Sequence, residues 1–284
     1  MNTKNLNQTL GFALLKICAG IVLLALLVIL YDIASKGLGI ISWEFIFSMP
    51  KKGMTEGGIF PAILGTIMVT VITAILAVPL GMGCAVYLNE YAVNGKLIRL
   101  IRLSIRNLSG VPSIVYGLFG VVLFVQSMNL GTSILSAGLT LGLMTLPWTV
   151  TASEEALKNV PNAYREGALA LGATKWQAIK TNVLPYAVGG MLTGTILGLA
   201  RAAGETAPIL FTGVAFYIPF VPKSVSSQFM ALPYHLYIMS TQHPAIEQVK
   251  PIAYGTALVL VVLVFTMNLS AIILRYRLRK IKEE

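Results

Sequence analysis

The stretch YREGALALGATKWQAIKTNVLP, residues 164–185, decides how the whole chain is read. It is polar, carrying Arg165, Glu166, Lys175 and Lys180, and it lies between two long apolar runs. Pro161, just upstream, suits a first helical position, and residues 162–171 are helix-compatible throughout. Gly172 stands where a helix C′ residue takes a positive φ. Thr174 followed by Gln177 has the T-x-x-Q spacing of a capping box, so a second helix begins there. Pro185 ends that helix or marks the entry to the next apolar run. The spacing predicts helix, glycine turn, helix.

The surroundings set this hairpin apart. Of 284 residues, 56% are hydrophobic and 11% charged, with mean hydropathy +0.79. A soluble domain carries about 25% charged residues, so the composition points to an integral membrane protein, which the long apolar runs below make all-α. The net charge of +10 fits either nucleic-acid binding or basic cytoplasmic loops, and the distribution of charge decides between them. Cys18 and Cys84 both lie in apolar runs, which reads as two buried thiols, with neither a disulfide framework nor metal spacing. The N-terminal run has no clear A-x-A-like site after it, so it reads as a retained transmembrane helix rather than a cleaved signal.

About 20 apolar residues cross the hydrocarbon as a helix. By that measure the chain holds six spans. The first covers about 12–34 and the second lies within 59–88, with Pro61 in its first turn. The third and fourth share the uncharged stretch 107–153, divided by the turn-like 126–133. The fifth runs from about 187 to 210 and the sixth from 252 to 274. With a cytoplasmic N-terminus, the inside segments hold Lys4, Lys16, Lys96, Arg99, Arg102, Arg106, Lys158, Arg165, Lys175, Lys180, Arg275, Arg277, Arg279, Lys280 and Lys282. Lys36, Lys51, Lys52, Lys223 and Lys250 fall outside, and Arg201 is within a span. This sorting follows the positive-inside rule. It places both termini and the hairpin in the cytoplasm and leaves no role for nucleic acid; Lys and Arg at the surface meet lipid.

Glu166, Ala168, Gly172, Leu184 and Pro185 are spaced as in the EAA loop of ABC-importer permeases, which the hairpin resembles, with Gly167 and Asn182 departing from the pattern. GGIFPAILGTIMVTVITAILAVPLGMGCAVYLNEYA (57–92), LSGVPSIVYGLFG (108–120) and LARAAGETAPILFTG (199–213) resemble phosphate-importer permeases of the PstA type. The resemblance implies a type I ABC importer (MetI-like) core over 59–275. A first helix and outer loop (1–58) precede it, and a basic cytoplasmic tail (276–284) follows. It implies an EAA-like coupling loop at about 154–185 that docks on an ATPase subunit. It also implies a PstC-like second permease, a PstB-like ATP-binding dimer and a PstS-like phosphate-binding protein as partners, in a bacterial inner membrane. ATP and magnesium belong to the ATPase partner: this chain has no G-x-x-x-x-G-K-[ST] phosphate loop, no nucleophile–base constellation, and no cofactor or catalytic site of its own.

Arg201 and Glu205, four apart, share a helix face and can pair. A mid-membrane charge costs about 2.5–3.5 kcal/mol on the insertion scale, so such groups face protein or water and mark pathways. Either the two are a structural ion pair or Arg201 contacts an anion in transit, which a guanidinium holds bidentately. The resemblance carries the family's translocation charges onto these two positions. Gly190, Gly194 and Gly198 continue at four-residue intervals to Ala202 as a small-residue packing stripe, read as the contact with the partner permease. Arg99, Arg102 and Arg106 read as lipid-facing orientation charges. Glu90 reads as a capping or paired carboxylate, and Pro112-Ser113 as a helix kink that can also expose donors. His235 and His243 read as packed or solvated rather than metal ligands, and the proline-rich 214–251 as an outer surface for a binding protein. Two other readings remain open: a permease for another oxyanion such as molybdate or tungstate, and an ion-coupled secondary transporter, which predicts an inverted repeat that is not evident.

Overall fold

The structure, a computed structural model, describes residues 3–93 and 95–280. Lys282 of the basic tail lies outside the described residues, as do the side chains of Lys4, Arg279 and Lys280. The chain is helical almost throughout. Helix α1 (Thr3–Gly37) leads to a compact segment holding α2 (Trp43–Phe47) and the antiparallel pair β1 (Pro50–Lys51) and β2 (Glu56–Gly57). Ser42 caps α2 by accepting the Phe45 N–H at 3.1 Å. The turn between the strands holds Lys52, Gly53 and Met54, all at positive φ.

Helix α3 (Phe60–Val86) starts with Pro61 in its first turn, where the missing N–H costs nothing, and closes in a π-helical turn, Tyr87–Tyr91. Then come α4 (Lys96–Leu108) and α5 (Ser113–Gly120), the latter continuing as a π-helical segment to Ser127. Helix α6 (Ile134–Lys158) is capped by Ser133, whose hydroxyl accepts the Ser136 N–H. Helices α7 (Asn162–Ala170) and α8 (Lys175–Ala178) form the hairpin, and α9 (Leu184–Ala202) follows. Helices α10 (Ala207–Thr212), α11 (Leu232–Thr241) and α12 (Ile246–Lys280) follow.

Among the described residues, five helices are long and apolar enough to cross a membrane: 11–37, 60–91, 134–158, 175–202 and 246–277. A sixth crossing exists if α4 and α5 count together, and these two meet at 101°. The membrane-spanning, all-helical class therefore holds, with three corrections of detail. The third span is short, because Pro112 lacks an N–H and the chain turns at 109–112 instead of entering the membrane straight from α4. The fifth span does not reach residue 210: its helix stops at Ala202, and α10 starts afresh after the break that contains Gly204. At the other end Pro185 interrupts nothing. The π-helical segment Ile179–Val183 absorbs its missing N–H, so the helix runs from Lys175 to Ala202 as one body.

Helix α3 packs along α6, α6 along α9, and α9 along α12, while α1 lies against α12. Apolar burial falls into three groups along the bundle. At the hairpin end Leu88, Val150, Leu157, Val183 and Met191 pack together. Val69, Leu141, Ile209 and Phe229 fill the middle, and Phe45, Met54, Ile59, Leu232 and Met239 the far end. Every buried threonine among the described residues except Thr149 donates to the carbonyl one turn earlier. Thr66 donates to the Ala62 carbonyl and accepts the Leu232 N–H, both at 2.8 Å, stitching α3 to α11.

Candidate functional site

The hairpin is built from local chemistry. Pro161 is the N-cap of α7, one position earlier than the spacing suggests. Gly172 sits at φ +82°, a left-handed conformation that a Cβ would strain. The Thr174 hydroxyl accepts the Gln177 N–H at 3.3 Å, and the Gln177 side chain accepts the Thr174 N–H at 2.8 Å, completing the capping box. Ala168 is buried against the body, whereas Glu166 and Gly172 are exposed. Leu184 and Pro185 begin α9, Leu184 packing partly into the core beside Val183. Leu171 at the tip is 90% exposed, and Leu169, Trp176 and Tyr164 are exposed too. The hairpin thus offers apolar groups outward while its root is held.

What holds the root is a set of buried charges. Glu90, whose side chain is only 5% exposed, pairs with Arg165 at 2.8 Å. The same guanidinium donates to the carbonyls of Leu157 and Val160 at the end of α6. Arg102 does not face lipid as its spacing suggests. It turns inward to donate to the Leu88 carbonyl at 2.6 Å and stands 3.3 Å from the Glu154 carboxylate. Arg99 and Arg106 remain exposed on α4.

A second site opens where α9 ends. Arg201 lines a cleft of about 290 Å³ together with Leu108–Ser113, Tyr116, Thr145, Trp148 and Gly198. Glu205 stands 3.7 Å from Arg201, across the turn that ends α9 rather than on the same helix. The turn is fixed by the Gly204 N–H to Arg201 and the Glu205 N–H to Ala202. Glu205 is largely buried and Arg201 is 66% exposed, so a cationic fork fronts the cleft with a carboxylate behind it. Most polar groups around it are already engaged. Tyr116 donates to the Leu108 carbonyl, Thr145 to Leu141 and the Trp148 indole to Gly194. Among the described residues, the hydroxyls of Ser109 and Ser113 have no hydrogen-bond partner. Ser109, Gly110 and Trp148 carry no mark in the sequence as cleft residues, since the bend that gathers them leaves no trace in hydropathy.

The small-residue stripe corrects its own reading. Gly190, Gly194 and Gly198 meet Ala156, Ala152 and Trp148, all on α6 of the same chain rather than on a partner. Both histidines are buried. His243 Nε2 lies 2.9 Å from the Gly53 carbonyl, and its Nδ1 accepts the Ala245 N–H. Accepting at Nδ1 makes Nε2 the protonated nitrogen. Burial, and then the nearby His243, push His235 down to about 4. Among the described residues no cluster of three or more ligating side chains is placed to hold a metal.

Residues 77–280 match the family of binding-protein-dependent transport system inner membrane components. The chain is 33% identical over 282 residues to the probable ABC transporter permease protein YqgI of Bacillus subtilis, covering 95% of each. It is 38% identical over 223 residues to the phosphate transport system permease protein PstA 1 of Mycobacterium tuberculosis, covering 78% of this chain and 71% of that one. It is 35% identical over 242 residues to the probable phosphate transport system permease protein PstA of Methanocaldococcus jannaschii, covering 85% and 84%. In fold it is similar to the inward-facing MetNI methionine ABC transporter, with TM-score 0.59 at 17% identity over 78% of this chain and 94% of that one. A bacterial ABC transporter that imports the acidic polysaccharide alginate gives TM-score 0.59 at 14% identity over 80% of each chain. A chain of membrane-crossing helices with this hairpin and these relatives is a transport subunit, not an enzyme: it belongs to the binding-protein-dependent inner membrane permeases of ABC importers, with a MetI-type fold and of the PstA type.

Proposed function

We propose that this permease forms half of the translocation pathway of an ATP-driven importer of inorganic phosphate. Arg201 in its cleft carries the reading. A guanidinium presents two parallel donors to a pair of phosphate oxygens, the free hydroxyls of Ser109 and Ser113 line the same space, and Glu205 neutralises Arg201 between ions. The PstA names of several relatives support phosphate as cargo. As an importer permease the chain works with an ATPase and a substrate-binding protein. In this reading those are a PstB-like dimer and a PstS-like protein, with a PstC-like permease completing the pathway. The hairpin, through Glu166, Ala168, Gly172, Leu184 and Pro185, is the handle for the ATPase, where ATP and magnesium are used. It lies in the cytoplasm with both termini, the orientation that the basic residues support.

The test is uptake of radiolabelled phosphate by proteoliposomes containing the four-component complex, with and without enclosed ATP. ATP-dependent uptake that Arg201→Ala abolishes, with assembly and ATPase activity retained, is the expected result. Normal uptake by Arg201→Ala removes Arg201 from the pathway. Competition by molybdate or tungstate at equal concentration points to the other oxyanions as cargo, and uptake by this chain alone on an ion gradient removes the ABC mechanism.

A further inference from the structure

Two arginines far apart in the sequence grip the same short turn. Arg165, at the root of the hairpin, holds Glu90 through Nε and Nη2. Arg102, on α4, holds the carbonyl of Leu88 two residues earlier. Both targets lie in the π-helical turn Tyr87–Tyr91 that closes α3. The second arm of the hairpin touches it as well, with Lys175 5.1 Å from the Tyr91 ring centre. Each arginine also reaches α6. Arg165 donates to Leu157 and Val160, and Arg102 stands beside the 8%-exposed Glu154.

From Arg102 the next feature along the chain is the cleft. Helix α4 ends at Leu108, and residues 108–113 are both the 101° joint with α5 and a wall of the cleft shared with Arg201. Tyr116 holds that joint shut against Leu108 at 3.0 Å. Taking one partner from a buried ion pair leaves an uncompensated charge, so such pairs move together instead of separating. π-Helical turns recur at functional sites, where the backbone ladder is already interrupted. We propose that Arg165, Glu90 and Arg102 form a mechanical relay. It carries displacement of the hairpin through the α3 turn into α4 and the α4–α5 joint, and so sets the shape of the cleft wall. The proposal rests on the hairpin being the ATPase handle. It adds three positioning residues that touch neither cargo nor nucleotide.

The experiment uses the complete complex in lipid nanodiscs and proteoliposomes, with Cys18→Ala and Cys84→Ala as background. A fluorophore on Lys180→Cys reports the hairpin and one on Gly110→Cys reports the joint, while uptake and ATP hydrolysis are measured on complexes that carry neither substitution nor label. With otherwise native residues, ATP changes both signals. In Glu90→Gln the hairpin signal persists and the joint signal is lost. Phosphate taken up per ATP hydrolysed then falls roughly 5- to 150-fold, the range of ordinary coupling between sites. Arg102→Lys, on the less buried side of the relay, gives the same split and decides the matter alone if Glu90→Gln does not assemble. A purely structural staple lowers the yield of complex and leaves the ratio in assembled complexes unchanged. A native ratio with a responsive joint in the assembled variants therefore overturns the relay and spares the hairpin's role. A hairpin that stays silent to ATP in the native complex overturns both.

Discussion

Trp148 on α6 donates its indole N–H to the Gly194 carbonyl on α9 at 3.0 Å, closing the cleft on the side where both helices approach. One turn further, a Cβ on Gly198 would stand 2.5 Å from Trp148 Cδ1. Inserting a methyl group into such a contact costs about 1–3 kcal/mol. Gly198→Ala is expected to lower the apparent unfolding temperature of the chain in detergent by several degrees. Combining it with Trp148→Ala relieves the clash, so the double variant is less destabilised than the sum of the singles. Strict additivity in that cycle refutes the contact.

Charge and shape at Arg201 separate by a conservative change. Arg201→Lys keeps the cation but loses the planar fork. Uptake by the reconstituted complex is expected to drop about tenfold, equivalent to some 1.4 kcal/mol, and not to vanish as in Arg201→Ala. Glu205→Gln keeps the shape and removes the counter-charge, so it raises retention of the anion and slows release. Single-turnover uptake distinguishes the two effects, and equal kinetics for Lys and Arg at position 201 rule out bidentate holding.

The hairpin is expected to tolerate surface changes poorly for two different reasons. Gly172→Ala forces a Cβ into a left-handed conformation, and Thr174→Ala removes a cap, each costing about 1 kcal/mol. Both loosen the hairpin and reduce ATPase co-purification in proportion. Leu171→Asp leaves the fold intact, because the side chain is almost wholly exposed, yet it places a charge on the apolar tip proposed to dock on the ATPase. An unchanged ATPase yield with Leu171→Asp separates the tip from the docking surface.

His235 makes stability depend on pH. Its folded value of about 4 lies below the ordinary value near 6.5. The unfolded chain therefore takes up a proton that the folded chain refuses. The stability is fully present above about pH 6.5 and is lost as pH falls toward 4, by roughly 3 kcal/mol over the whole window. Apparent unfolding temperatures at pH 7.5 and pH 5 should differ accordingly, and His235→Leu should flatten the difference.

The hairpin was legible because its turn depends on neighbours in sequence: a glycine without a Cβ and a reciprocal cap three residues apart. The number of apolar runs was legible too. Their geometry was not. Residues 107–153 carry no charge, and the bend at Pro112 that makes the cleft leaves hydropathy unchanged. The Arg201–Glu205 spacing suits a helix, but a tight turn also brings residues four apart together, and the helix ends between them. Glu90 announced itself as a carboxylate needing a partner. That partner lies 75 residues away, where only the packing of α3 against α6 brings it. The glycine stripe shows a face made for close approach without saying which helix approaches.

The helical span from Lys175 to Ala202 begins in the second arm of the hairpin and ends beside Arg201. At 1.5 Å per residue it is a rod about 40 Å long. With the hairpin as the proposed handle, such a rod would serve as a lever: a tilt of a few degrees there moves its far end, and the guanidinium, by a few ångströms. Pro185 and the π-helical segment Ile179–Val183 both lie near the hairpin end, so the regular α-helical length beyond them reaches Arg201 without a further break.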